Sequence, residues 1–157
     1  MEFNIPQGSS HICHFDVYPE EPSGGVAQPW RVALTSAGDA KDVDSFDIRF
    51  AKASSPDQRQ CESLTMVFRM ADAVQSNTVS WRWLQSGVMY CEGQGDFLDR
   101  ISLRQSCDNR VLTANVRCLS DLEEKFHFSF IGIRRDTKSG VCEIYASEDP
   151  VGRISRW

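Results

Sequence analysis

Apolar and polar residues alternate along most of this chain. Cys13, Phe15 and Val17 are interleaved with His14, Asp16 and Tyr18, and Trp30, Val32 and Leu34 with Arg31, Ala33 and Thr35. The same rhythm runs through Phe46, Ile48 and Phe50, then through Leu64, Met66, Phe68 and Met70, and through Val79, Trp81 and Trp83. It returns at Leu112, Ala114, Val116 and Cys118, at Phe126, Phe128 and Phe130, and at Cys142, Ile144 and Ala146. A period of two turns every second side chain to one face of a strand. With a weaker stretch at Ile101 and Leu103, the pattern predicts about nine strands.

The segments between them carry turn chemistry. Pro19-Glu20-Glu21-Pro22-Ser23-Gly24-Gly25 cannot continue a strand, because proline lacks a donor and glycine is permissive. Ala37-Gly38-Asp39, Ser54-Ser55-Pro56-Asp57, Gly93-Gln94-Gly95-Asp96 and Cys107-Asp108-Asn109 read as loops. Asp136-Thr137-Lys138-Ser139-Gly140 reads as the tip of a hairpin between the strands on either side. The one helical candidate is Ser120-Asp121-Leu122-Glu123-Glu124-Lys125, where Ser120 and Glu123 have the spacing of a capping box. One apolar and one polar face per strand favours antiparallel pairing with a wet side. The reading is an all-β, two-sheet antiparallel β-sandwich with Greek-key connections, forming one domain over residues 1–157. A closed β-barrel is the alternative.

Composition narrows the partners. Hydrophobic residues make up 41% of the chain and charged residues 25%, as in an ordinary globular protein. The net charge is −5 and the basic residues are scattered; the densest runs are Arg134-Arg135 and a tail carrying Arg153 and Arg156. Phosphate recognition needs clustered cations, so neither nucleic acid nor a membrane surface is an expected partner. The start of the chain has no basic, apolar leader, which points to the cytoplasm. In that compartment the six cysteines are expected to be free thiols.

Ala146-Ser147-Glu148-Asp149-Pro150-Val151-Gly152, directly after a strand, resembles the end of the bacterial DP-EP family, and Tyr18-Pro19-Glu20-Glu21-Pro22 is compatible with it. The resemblance implies an immunoglobulin-like β-sandwich without assigned activity. It brings no catalytic residues with it.

Candidate chemistry is sparse. Cys13, Cys118 and Cys142 are in phase with inward residues and read as core thiols. Cys61, Cys91 and Cys107 fall near loops, where a thiol beside a base or cation would be a reactive nucleophile. There is no Cys-x-x-Cys and no His-x-His, and His11 and His14 point to opposite faces of a strand, so no metal site is expected. A nucleophile elbow and a phosphate loop are missing, so neither catalytic residues nor a cofactor are expected. Trp81 and Trp83 read as core. An aromatic face left open would instead be a stacking platform, for which Trp30, Trp83 and Tyr90 are the candidates.

These readings converge on a non-enzymatic binding or self-assembly module, acting on a second copy or another protein through a sheet face or edge. A homodimer is its simplest form. The alternatives are a small-ligand or carbohydrate-binding domain and a cysteine-dependent enzyme.

Overall fold

The computed structural model describes residues 1–35, 40–92, 101–119, 121, 123–148 and 151–156; at 90–92, 124, 126 and 151 it describes the backbone alone. The strands among them are β1 (Glu2–Ile5), β2 (Ser10–Tyr18), β3 (Arg31–Leu34), β4 (Lys41–Asp42), β5 (Ser45–Phe50), β6 (Ser63–Met70), β7 (Val79–Glu92), β8 (Ile101–Gln105), β9 (Val111–Val116), β10 (Glu124–Asp136), β11 (Cys142–Ala146) and β12 (Val151–Arg156). One short helix, α1 (Pro56–Cys61), precedes β6.

The strands form two sheets. One runs β1-β5-β12-β10-β11, with β7 on the other edge of β10; the second runs β4-β3-β2-β6-β9-β8. β11 and β12 lie end to end along one edge of the long β10, pairing with Ile131–Arg135 and Glu124–His127 respectively. The two sheets face each other across one core, as the alternating pattern predicts, and they do not close into a barrel. An aromatic seam runs through that core. Phe15 and Phe68 stack at 5.0 Å, Phe68 meets Phe130 edge-on at 5.3 Å, and Phe130 lies 5.5 Å from Trp83.

Most strand pairs are antiparallel, but β1 with β5, β5 with β12 and β2 with β6 are parallel. A parallel pair needs a long crossover. Here the chain supplies it by passing through β5 of the opposite sheet and through α1 before returning as β6, so no covering helix is required.

The structure corrects the sequence reading in five places. β1, β4 and β12 were not expected as strands. The tail noted only for its basic residues is β12, held between β5 and β10. The segment read as a helix from Ser120 is a strand from Glu124 onward, because β12 supplies a ladder partner for it; Ser120 and Leu122 lie outside the described residues. The segment read as a loop at Ser54–Asp57 opens α1: the Ser55 hydroxyl accepts from Gln58 N–H, the Gln58 side chain accepts from Ser55 N–H, and Pro56 opens the first turn. Finally, Cys142 is exposed. On β11 it is Tyr145 that packs inward, 5.5 Å from Trp81, so Cys142 and Ile144 take the outer face. Ala37-Gly38-Asp39, Gly93-Gln94-Gly95-Asp96, Asp149-Pro150 and Trp157 lie outside the described residues.

Two glycines are required by geometry. Gly132 of β10 lets Trp30 lie against the strand, since a Cβ there would be 2.9 Å from the indole ring. Gly87 sits where β7 leaves the ladder between Trp83 and Val88. Its φ is +79° and a Cβ would be 2.8 Å from Leu112 of the facing sheet.

Candidate functional site

β11 is the end strand of its sheet, and its outer edge pairs with no other described strand. Its backbone orientation follows from the ladder. Asp136 N–H donates to the Val141 carbonyl at 2.9 Å, and Ser147 N–H to the Phe130 carbonyl at 2.9 Å. Both bonds fall on the register that pairs Ile133 with Ile144. Bonded and non-bonded pairs alternate in an antiparallel ladder. Glu143 and Tyr145 therefore turn their N–H and C=O groups toward β10, and Cys142, Ile144 and Ala146 turn theirs to the open edge.

The side chains at this edge are apolar. Ile144 is 63% exposed and Val141, just before the strand, is 54% exposed. On the outer face Ile144 lies opposite Ile133, and Ala146 opposite Ile131, both isoleucines half-buried. The hairpin holding this edge is well made: Asp136 Oδ1 accepts from Lys138 and Ser139 N–H, both at 2.8 Å. Those bonds hold the Asp136 carboxyl below its usual range. On the inner side Arg134 pairs with Glu143 at 3.3 Å and with Glu21 at 2.8 Å. Burial, then the hydrogen bond and charge of Glu143, raise the Tyr145 phenol.

Other sheet edges carry protection. β4 is two residues long and both are charged and exposed. β8 turns Ser102 and Arg104 outward, and β1 turns out Glu2 and Asn4. The far edge of β7 is partly engaged, since Trp83 N–H donates to the Asn109 carbonyl at 2.8 Å. Charges and short strands are the usual means of stopping sheets from joining edge to edge. β11 is as short as β8 and carries the exposed Glu143, but the residues whose backbone faces its outer edge, Cys142, Ile144 and Ala146, are uncharged.

β12 positions β10, and through it β11, and it is held by a fully buried ion pair. Arg156 and Glu62 have no exposed side-chain surface and meet at 2.8 Å. Arg156 also donates to the carbonyls of Ala51, at 2.6 Å, and Cys118, and its guanidinium lies 5.6 Å from the centre of the Phe50 ring. Glu62 Oε1 accepts from Gly8 N–H at 2.9 Å and from the Ser54 hydroxyl. Burial pushes the Glu62 carboxyl up, but the Ser54, Gly8 and Arg156 hydrogen bonds and the Arg156 charge outweigh it and hold it below the usual carboxylate range. One cluster thus ties the ends of β5 and β12 in one sheet to the start of β6 and the end of β9 in the other.

The aromatic candidates separate. Trp83 is 1% exposed and its Nε1 donates to the Arg110 carbonyl at 3.2 Å, so it offers no open face. Trp30 is 6% exposed, donates through Nε1 to the Glu20 carbonyl at 3.2 Å, and stacks on Phe130 at 6.4 Å. It also walls a pocket of about 300 Å³ with Pro29, Val32, Asp42, Asp44 and Glu148. Tyr90 sits opposite Phe128 in β7; its side chain lies outside the described ones.

Of the thiol candidates, Cys61 ends α1 and Cys107 lies in the turn after β8, both exposed, while the Cys91 side chain lies outside the described ones. Cys13, Cys61, Cys107 and Cys142 are free thiols, and among the described residues no three His, Cys, Asp or Glu side chains converge as metal ligands. Among the described residues no helix is long and apolar enough to cross a membrane. The signal for the buried pair was in the sequence and was missed: Glu62 is in phase with Leu64, and Arg156 with Ile154.

The fold defines an all-β domain of two facing sheets, in which no other described strand pairs with the outer edge of β11. A comparison with models of known protein families and with curated proteins finds no match for this chain.

Proposed function

We propose that this domain is a non-enzymatic binding or self-assembly module whose contact is the open β11 edge. The observation that carries the reading is the outward N–H and C=O groups of Cys142, Ile144 and Ala146, flanked by the exposed side chains of Val141 and Ile144. Such an edge is a template for an added strand, with backbone bonds giving affinity and alternate side chains giving selectivity. Hydrogen exchange at those three amides tests it, followed as protein concentration rises and as a peptide spanning residues 140–148 is added. Slowed exchange in either series is the expected result. Free exchange in both would remove the edge as the working surface.

A second reading rests on the pocket at Trp30. Three carboxylates, of Asp42, Asp44 and Glu148, share it with an indole wall, a combination suited to a small polar or cationic ligand. Asp42 is already engaged by Arg31 at 2.8 Å, and little of the Trp30 face is open, so this reading ranks below the edge. Titration with amines and sugars, read by tryptophan emission, decides it: an unmoving spectrum would leave the pocket without a ligand.

A further inference from the structure

We infer that the strand β11 receives is β11 of a second copy, paired antiparallel about a two-fold axis at Ile144. This rests on the reading of β11 as the contact edge and adds the partner and the register.

The parity of the ladder does most of the selection. Within β11 only Cys142, Ile144 and Ala146 turn backbone groups outward (just past it the outward Glu148 N–H is taken by the Gln28 carbonyl at 2.9 Å), so these three must meet one another across a new antiparallel pair. With Ile144 opposite Ile144, Cys142 faces Ala146 of the copy, and every outward N–H and C=O on both strands finds a partner. Any shift that keeps parity leaves an outward residue of each strand beyond the other's end. The shift one way also sets Glu143 against Glu143, and directly opposed like charges destabilise a pair.

The side chains agree with the centred register. On the outer face, Ile133 and Ile144 of one copy continue into Ile144 and Ile133 of the other, making one apolar row across the seam. On the inner face Glu143 comes opposite Tyr145, a phenol that can donate to it. Glu143 is also neutralised within its own chain by Arg134 at 3.3 Å, so the seam brings no uncompensated charge. A surface that is its own complement is what an isologous contact requires. The strand is five residues long, so the pairing is expected to be weak and to need high protein concentration.

Cross-linking reads the register directly. In a background with Cys61, Cys91, Cys107 and Cys142 changed to Ser, one new cysteine is placed by I144C, E143C or Y145C, and each variant is oxidised mildly beside the parent. Directly opposed residues of a bonded pair lie about 5.5 Å apart at Cα, within disulfide range. I144C is expected to give about tenfold more covalent dimer than E143C or Y145C, whose own copies lie two positions out of register. The wild-type Cys142 pair would be about 14 Å apart along the strands and is expected not to link. Dominant linking through E143C, Y145C or native Cys142 would overturn the centred register and leave the edge reading standing. Amides slowed by the peptide but not by concentration, with no cross-link, would mean a foreign strand is the partner. Neither protection nor cross-link would remove both readings. Melting curves check that each variant is folded, Y145C above all because Tyr145 packs on Trp81.

Discussion

Arg156 and Glu62, 94 residues apart in the chain, meet at 2.8 Å with neither side chain exposed. The arginine arrives on β12 and the glutamate at the entrance of β6, so the contact exists only once the two sheets are stacked. Removing one partner of a buried pair leaves an unpaired charge in the interior, which costs about 3–5 kcal/mol. We therefore expect Arg156→Ala to destabilise the fold by about that amount, read as a lower denaturant midpoint. Replacing both residues with apolar ones of similar size, as in the pair Glu62→Leu and Arg156→Met, should recover most of the loss, because neither charge is then stranded. A double variant as unstable as the single one would show that the carbonyl contacts of Arg156, not the charge pair, hold β12.

Acid should find the same site. The folded-state pKa of Glu62 is depressed below its unfolded value, so its contribution is present above the unfolded value and is lost as pH falls through the folded one. Asp47 behaves alike. Burial raises it, but its bonds to Arg49 and Arg153 prevail and lower it. Stability should hold near neutrality and decline below about pH 4. Ser54→Ala removes one donor to Glu62, so it should lower stability near neutrality and make the acid decline shallower, with its onset unchanged. Denaturant midpoints measured across the acid range check this, and an unchanged profile in Ser54→Ala would count against the hydroxyl's role.

Gly132→Ala would press a methyl group against Trp30, whose ring leaves 2.9 Å. Overpacking of this kind costs about 1–3 kcal/mol. A lower melting temperature with a shifted tryptophan emission is expected. Unchanged emission would mean that Trp30 does not rest on this strand.

Thiol reactivity should follow exposure. Cys61, Cys107 and Cys142 are exposed, Cys118 is buried, and burial raises the Cys13 thiol. A thiol reagent near neutral pH should therefore modify the first three quickly, Cys13 slowly and Cys118 only on unfolding. Mass mapping of the modified peptides gives the order. Rapid modification of Cys118 would contradict its place in the core.

Ile144→Lys puts a charge on the open edge without touching the core. Surface changes of this kind stay within about 0.5 kcal/mol in stability. The variant should melt like the parent and lose the concentration-dependent protection of β11. A parent and variant that sediment alike at high concentration would speak against association through this edge.

The alternation from Phe15 to Ala146 was enough to determine a two-sheet β protein and most of its strands, because burial of one sheet face writes a period of two directly into a sequence. It also put Trp81 and Trp83 inside. It failed where the inward positions are not apolar. In β12 they are Gly152, Ile154 and Arg156, so the strand read as a basic tail. On β11 the phase was legible but its direction was not. Cys142 and Ile144 look like core residues until Tyr145, packed on Trp81, takes the inner face. Which strands lie at an edge is likewise a matter of chain path, since a strand's own sequence does not record whether a neighbour will cover it. Local chemistry therefore determined the elements, while the stacking of two sheets decided that Glu62 would meet Arg156 and that no other described strand would pair with the outer edge of β11.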